Sequence, residues 1–167
     1  MVKLLSYIYT YMNISKKTLS FSCSKCMKYL RCPKDIWEQL KNEFDFTIDL
    51  CASDNNHLLP RYYTKEINSL TKNWDHEVGF LHPLFDGKIG KFVEKASKSK
   101  GTFVMLLPAS THTKYFHEYL YKKENVEIRF LRKPKRGFRF GHDDCSEDDP
   151  KKIGYIKPLM ICIMKNT

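Results

Sequence analysis

The segment that most constrains the fold runs from residue 78 to residue 96 and joins a short apolar run to an amphipathic helix. The run at 78–81 predicts a buried strand, which ends at the motif His82-Pro83-Leu84-Phe85. Two glycines follow, and apolar residues at helical spacing then predict a helix. In an open α/β sheet, ligands bind at the carboxyl ends of the strands. We therefore expect this motif to form one edge of an active site.

Predicted strands and helices alternate along the rest of the chain. Such alternation indicates an α/β fold with a mainly parallel sheet and helices on both of its faces. The pattern at residues 66–74 is weaker and predicts a helical or turn segment. The predicted strands are 46–50, 61–64, 78–81, 102–107, 126–131 and 159–164, and the other predicted helices are 34–44 and 113–123.

The chain is short and basic. Its 167 residues suffice for one packed domain, which we place at 29–167 after an N-terminal extension, 1–28, that we expect to be flexible. A net charge of +10 favours a polyanion as partner, nucleic acid before a membrane. No apolar run approaches the roughly 18 to 20 residues that a membrane-spanning helix needs. Residues 1–12 favour an amphipathic or poorly ordered segment over a signal or transit peptide, the alternative. We expect an intracellular protein, cytoplasmic or nuclear.

Residues 132–139 carry the clearest signal for a polyanion. Pro134 and Gly137 are expected to keep this segment out of regular structure, and Phe138 and Phe140 offer rings that stack on a base while the cations hold phosphates. The alternative is a solvated charged hairpin. An acidic stretch at 142–149 predicts a solvated loop. The candidate nucleic-acid-binding residues are Arg132, Lys133, Lys135, Arg136 and Arg139.

The cysteines do not predict a metal site. Cys23 and Cys26 have the spacing of half a zinc site, and Cys32 is a conceivable third ligand. No nearby histidine completes the set. We therefore predict reduced thiols and no metal.

Four motifs occur in order along the chain. Cys32-Pro33 opens the first helix, and Asp49-Leu50-Cys51-Ala52-Ser53, with Asn55 or Asn56, follows the first strand. The 82–85 motif and Leu107-Pro108-Ala109-Ser110-Thr111 come next. Over residues 29–164 this series resembles the phage-type DNA N6-adenine methyltransferases, which are class I S-adenosylmethionine-dependent enzymes. In that family the motifs are Thr-Pro, D-x-x-A-S with Asn, N-P-P-Y and L-P-x-x-T.

The resemblance implies a Rossmann-like class I methyltransferase fold with an antiparallel C-terminal strand. It also implies S-adenosylmethionine beside the Asp49 loop and nucleic acid as the partner, with DNA favoured over RNA. A protein partner stays open as a further alternative. Small side chains after Asp49 let a cofactor approach the backbone, and its carboxylate can accept hydrogen bonds from the cofactor's amino group. The alternative for Asp49 is a capping or turn aspartate. The implied cofactor-binding residues are Pro33, Asp49, Ala52, Ser53 and Asn68, the last standing where the family usually has an acidic residue.

The implied reaction is methyl transfer to the exocyclic amine of adenine, with His82, Pro83, Leu84 and Phe85 as the catalytic motif. In N-P-P-Y, the asparagine oxygen and a proline carbonyl grip the amine, and the tyrosine stacks on the flipped base. Here Phe85 keeps a stacking face, but Leu84 replaces the second proline and His82 replaces the asparagine. A neutral imidazole accepts a hydrogen bond in one tautomer only.

Two hypotheses follow from this variant motif. The first is an active adenine methyltransferase. The second is a catalytically inactive methyltransferase-fold protein that binds nucleic acid or serves as a partner subunit. For His82 itself, a hydrogen-bonded histidine at a strand end is the structural alternative to a catalytic role.

Overall fold

The computed structural model describes residues 32–132, 138–139, 154–155 and 157–167. Helices, strands and turns alternate along most of this length. In chain order the elements are α1 (Lys34–Glu43), β1 (Ile48–Asp49), a 3₁₀ turn (Ser69–Thr71), β2 (Glu77–Leu81), α2 (Ile89–Lys98), β3 (Gly101–Pro108), a π-helical segment (Phe116–Leu120), β4 (Val126–Phe130), β5 (Phe138–Arg139), β6 (Gly154–Tyr155) and β7 (Leu159–Asn166).

The main sheet is mixed and has five strands in the order β1-β2-β3-β7-β4. β1, β2 and β3 pair in parallel, and β7 pairs antiparallel with both β3 and β4. Four strands therefore run in one direction, and the C-terminal strand β7 runs in the other. The structure confirms the predicted α/β class, with a mostly parallel sheet and an antiparallel last strand.

Side chains of the central strand β3 alternate between the two faces of the sheet. Phe103, Met105 and Leu107 lie in one apolar cluster, and Val104 and Leu106 lie in the other. All five are buried. A strand that is covered on both faces needs an unbroken apolar run, which is what 102–107 supplies.

α1 covers one of these faces. Pro33 occupies its N-cap position, and Asp35 in the first turn and Lys41 in the last turn complement the helix dipole. The Trp37 ring packs edge-on against Phe80 of β2, with 5.1 Å between ring centroids. An aromatic pair of this kind contributes about 0.5–1.5 kcal/mol beyond the area it buries.

α2 and the π-helical segment cover the other face. Ile89, Val93 and Ala96 recur at helical spacing and are buried in the same cluster as Phe116 and Leu120. Helices therefore lie on both faces of the sheet, as predicted from the alternation of elements.

Several predicted elements differ in extent from the structure. The predicted strand at 46–50 is only two residues long in the structure, where it forms β1. The predicted strand at 61–64 is reduced to a parallel bridge between Asp49 and Tyr62, because β1 is too short to pair with a longer strand. The segment 66–74 contains a 3₁₀ turn and the wholly buried Trp74. The predicted helix at 113–123 is helical over 114–120, of which residues 116–120 are π-helical, and the Tyr121 amide donates to the Phe116 carbonyl at 2.7 Å.

The basic segment also differs from the expectation. Phe138–Arg139 forms β5, which pairs antiparallel with β6, so this end of 132–139 is regular structure rather than loop. An antiparallel partner supplies the ladder that an aromatic residue such as Phe138 favours. The candidate residues Lys133, Lys135 and Arg136 lie outside the described residues, as do the 1–28 extension, the 142–149 stretch and Cys23 and Cys26. In the described ranges, no helix has the length and apolar character to cross a membrane.

Candidate active site

The carboxyl ends of β1, β2 and β3 lie side by side because the three strands are parallel neighbours. Asp49 is in register with Phe80, and Leu81 is in register with Met105. The loops that leave these ends carry three of the predicted motifs, at 49–53, 82–85 and 107–111. The fold thus brings together residues that are up to about sixty positions apart in the sequence.

Asp49 anchors the first of these loops. Its side chain is 3% exposed, and its two oxygens accept the backbone amides of Cys51 and Leu58, each at 3.2 Å. A carboxylate has about four acceptor positions, so two remain for a ligand. Burial raises the pKa of Asp49 from its ordinary value of 3.8 to about 6, although these amides act in the opposite direction.

The returning chain fixes the other side of this loop. The Asp49 amide donates to the Arg61 carbonyl at 3.0 Å, and the Tyr63 amide donates to the Asp49 carbonyl at 2.9 Å. The Ala52 amide donates to the Tyr63 carbonyl, also at 2.9 Å. Backbone groups on both sides of Asp49 are therefore held in place.

The middle of the loop contains a polar group without a partner. The Ser53 amide donates to the Asn56 side-chain oxygen at 2.6 Å. The Ser53 hydroxyl, in contrast, is buried and has no hydrogen-bond partner within the described part of the chain. His57 stacks on Tyr62 nearby, with 4.2 Å between ring centroids. Buried polar groups are nearly always satisfied, so this hydroxyl has hydrogen-bonding capacity that the described residues do not use.

The beginning of α1 lies close to Asp49. Pro33 is buried, and burial raises the pKa of the neighbouring Cys32 thiol, with a further contribution from the Asp49 charge. The same two causes raise the pKa of Cys51. These thiols stay protonated and are not nucleophiles. Among the described residues, no three His, Cys, Asp or Glu side chains form a group suited to a metal ion.

Asn68, the remaining candidate for cofactor binding, has a clear role in the backbone. It adopts the left-handed conformation, with φ of 52°, immediately before the 3₁₀ turn, and its side chain is exposed. Asparagine is enriched at such positions. The Asn68 carbonyl also accepts the Thr71 amide and hydroxyl, at 2.9 and 2.8 Å.

The 82–85 motif forms a compact turn at the end of β2. Burial lowers the pKa of His82 to about 4, so its imidazole is neutral near pH 7. The His82 and Phe85 rings meet edge-on, with 5.4 Å between centroids. Pro83 is buried, Leu84 is 44% exposed, and the Asp86 amide closes the turn on the Leu84 carbonyl at 2.7 Å.

A cavity of about 490 Å³ opens beside Phe85, between the first turns of α2 and the π-helical segment. Tyr115 and Tyr119 give it aromatic walls, and Ser110 and Thr113 add hydroxyl groups. Its volume is in the range of small-molecule sites. Sequence reasoning placed both tyrosines in the helix predicted at 113–123 and missed them as site residues. Their position just after the 107–111 motif was the signal that could have revealed them.

Arg132 lies at the end of the sheet from which the three loops leave. It follows the carboxyl end of β4, which runs in the same direction as β1–β3, and its side chain is exposed. Arg139 belongs to β5. One cation of the predicted nucleic-acid-binding set is thus placed on the side of the molecule where the motifs meet.

Comparison with known proteins agrees with this arrangement. Residues 24–166 match the family model described as DNA N-6-adenine-methyltransferase (Dam). A DNA N-6-adenine-methyltransferase from Haemophilus phage HP1 (strain HP1c1) is 27% identical over 139 residues, which cover 75% of this chain and 80% of that protein. The family match includes all three loops and the cavity beside Phe85. The chain therefore belongs to the DNA N-6-adenine-methyltransferase (Dam) family.

Proposed function

We propose that this protein transfers a methyl group from S-adenosylmethionine to the N6 amine of adenine in DNA. We further propose that residues 29–167 form a single catalytic domain with a Rossmann-like class I methyltransferase fold. The observation that supports this most strongly is the juxtaposition of the Asp49 loop, the 82–85 motif and the cavity beside Phe85. A donor site after β1 and an acceptor site after β2 and β3 would then be neighbours at one edge of the sheet.

The residues after β1 fit the proposed cofactor. Asp49 has unused acceptor positions, and the buried Ser53 hydroxyl lacks a partner among the described residues. The small Ala52 leaves the backbone approachable, and Pro33 would form part of the same wall because the start of α1 lies close to Asp49. When bound, S-adenosylmethionine supplies the electrophilic methyl group.

The 82–85 motif would hold the acceptor amine. The neutral imidazole of His82 has one acceptor nitrogen for an N–H of adenine, and the Phe85 ring offers a face on which the flipped base stacks. Pro83 limits the backbone freedom of the turn. Because the pKa of His82 is about 4, its imidazole does not keep a proton near pH 7. The methylated amine loses one proton in the reaction, and His82 does not retain it near pH 7.

The basic residues after β4 would contact the DNA backbone. Arg132 lies at the edge of the sheet where the motifs meet, and the cations that follow it in the sequence extend this charge. Phosphate contacts of this kind make affinity fall steeply with salt. The proposed set is Arg132, Lys133, Lys135, Arg136 and Arg139.

The experiment that tests this function is calorimetric titration of the purified protein with S-adenosylmethionine. We expect Ser53→Ala and Asp49→Ala to weaken binding and Asp45→Ala to leave it unchanged, since Asp45 is exposed. Circular dichroism checks the fold of each variant, because Asp49 also anchors its loop. Ser53→Ala removes no hydrogen bond of the described structure, so its effect on binding is free of that complication.

Transfer of a labelled methyl group to duplex DNA then tests the reaction. We expect product at adenine N6, and we expect its loss in Phe85→Ala while cofactor binding is retained. A folded wild-type protein that binds DNA but neither binds S-adenosylmethionine nor transfers methyl would contradict the proposal. That result would instead support the inactive, nucleic-acid-binding alternative.

A further inference from the structure

Four lysines line one side of α2. The first is the N-cap residue of the helix, and the others follow at intervals of three or four residues, so they share a face. The opposite face holds Ile89, Val93 and Ala96 and is buried. At 1.5 Å per residue the lysines span about 15 Å. The α2 lysine stripe consists of Lys88, Lys91, Lys95 and Lys98.

Most of this positive charge is not neutralised in the described structure. Lys98 pairs with Glu94 at 2.7 Å, and the Lys95 ammonium lies 5.2 Å from the centroid of the Trp74 ring. Across the described ranges, no carboxylate lies within 4.0 Å of the Lys88 or Lys91 ammonium. The stripe therefore presents a net positive surface.

The stability of α2 accounts for Lys95 and Lys98, which lie in its last turn and complement the helix dipole, but not for Lys88 and Lys91. The first turn contains no acidic residue, and Lys88 and Lys91 lie at the N-terminal end. The helix dipole makes that end electropositive and therefore disfavours cations there. The same arrangement favours a bound anion, because lysine ammonium groups and the dipole act on it in the same direction.

The stripe begins next to the proposed acceptor site. Lys88 follows Phe85 by three residues, and Lys91 lines the cavity beside that ring. Lys91 also lines a second groove, of about 550 Å³, together with Lys95 and Lys98 and with the acidic residues Asp75 and Glu94. The stripe thus leads away from the cavity along the helix.

We propose that the α2 lysine stripe binds the phosphates of the DNA strand next to the target adenine, in addition to the basic residues proposed at 132–139. This inference rests on the proposed function, which places a flipped base beside Phe85. A base in that cavity leaves its flanking phosphates near Lys88 and Lys91. A DNA strand advances 3.4 Å per nucleotide, so the stripe matches about four nucleotides.

The test is the salt dependence of binding to fluorescein-labelled duplex DNA of mixed sequence, measured by fluorescence anisotropy. In the double variant Lys88→Gln/Lys91→Gln, we expect weaker binding and a log–log salt slope smaller by about 2, because each lost phosphate contact lowers it by about 0.9. We expect S-adenosylmethionine binding to be unchanged.

The matched control is Lys41→Gln/Lys165→Gln, which removes the same charge. Both lysines are exposed, and Lys165 is in register with Thr102 at the start of β3, so it lies at the edge of the sheet opposite to the site. We expect a slope close to that of the wild type.

Two results would overturn the inference, and they differ in whether the proposed function is also rejected. If the salt slope of the Lys88/Lys91 variant equals that of the wild type, or if the slope falls equally in the control, the stripe does not bind DNA phosphates. Methyl transfer by the wild type would still support the proposed function in that case. A wild-type protein that neither binds duplex DNA nor transfers methyl rejects both.

Discussion

The buried carboxylate of Asp49 couples the stability of the protein to pH. Burial raises the pKa of this group from 3.8 to about 6, so the folded state binds the proton more tightly than the unfolded state does. The free energy of unfolding must then fall as pH rises through the interval between these two values. One pKa unit corresponds to 1.36 kcal/mol, so the loss through Asp49 is about 3 kcal/mol.

The substitution Asp49→Asn isolates this effect because it removes the charge and keeps the size. An amide has one acceptor oxygen, so either the Cys51 or the Leu58 amide loses its partner and faces an NH₂ group. That mismatch costs about 1–3 kcal/mol at every pH. We therefore expect the variant to be the less stable protein near pH 4, and we expect the difference to shrink or change sign near pH 8.

Urea unfolding at both pH values measures this difference. Trp37 and Trp74 are buried, so their fluorescence reports the transition. The control Asp45→Asn changes an exposed residue, and a surface change of this kind is worth within about 0.5 kcal/mol. A stability difference between wild type and Asp49→Asn that stays constant from pH 4 to pH 8 would refute the reasoning.

Two further predictions concern a glycine and the variant motif. Gly101 has a φ of +130°, and an added Cβ would lie 2.5 Å from the Glu77 carbonyl oxygen. Gly101→Ala should therefore lower the free energy of unfolding by about 1–3 kcal/mol, whereas Gly87→Ala, with nothing within 4 Å of its Cβ, should change it little in the same urea titration. His82→Asn replaces an imidazole with an amide oxygen that is always an acceptor, so methyl transfer to DNA should become faster with S-adenosylmethionine binding unchanged. A folded variant with slower transfer would show that His82 itself is needed.

The strongest predictions from the sequence concerned segments whose pattern is local. The apolar run at 102–107 predicted β3, and the spacing of Ile89, Val93 and Ala96 predicted α2, because burial on a strand or helix imposes a fixed period. The motifs at 49–53 and 82–85 were found in the same way, as short runs at predicted strand ends. Their roles in catalysis and cofactor binding stay predictions.

Predictions were weaker where the structure depends on a distant partner. The strand at 61–64 could not form because its neighbour β1 has only two residues, and the length of β1 is not visible in the local pattern of 61–64. The helix at 113–123 shortened to 114–120, most of it π-helical, although its apolar spacing favoured a longer helix. The turn-aspartate alternative for Asp49 anticipated the contact with the Cys51 amide, whereas the contact with the Leu58 amide, nine residues on, is not visible in the sequence pattern.

By itself, the sequence determined the α/β class and the order of most elements, since each follows from periodicity and composition within a short window, and the order of the motifs supplied the family resemblance. The tertiary structure alone decided that Asp49, the 82–85 motif and Arg132 lie along one edge, and that a cavity opens between α2 and Tyr115. These features depend on strand order and strand direction. Both are set by which apolar faces bury each other most completely, a property of the whole chain that no short window contains.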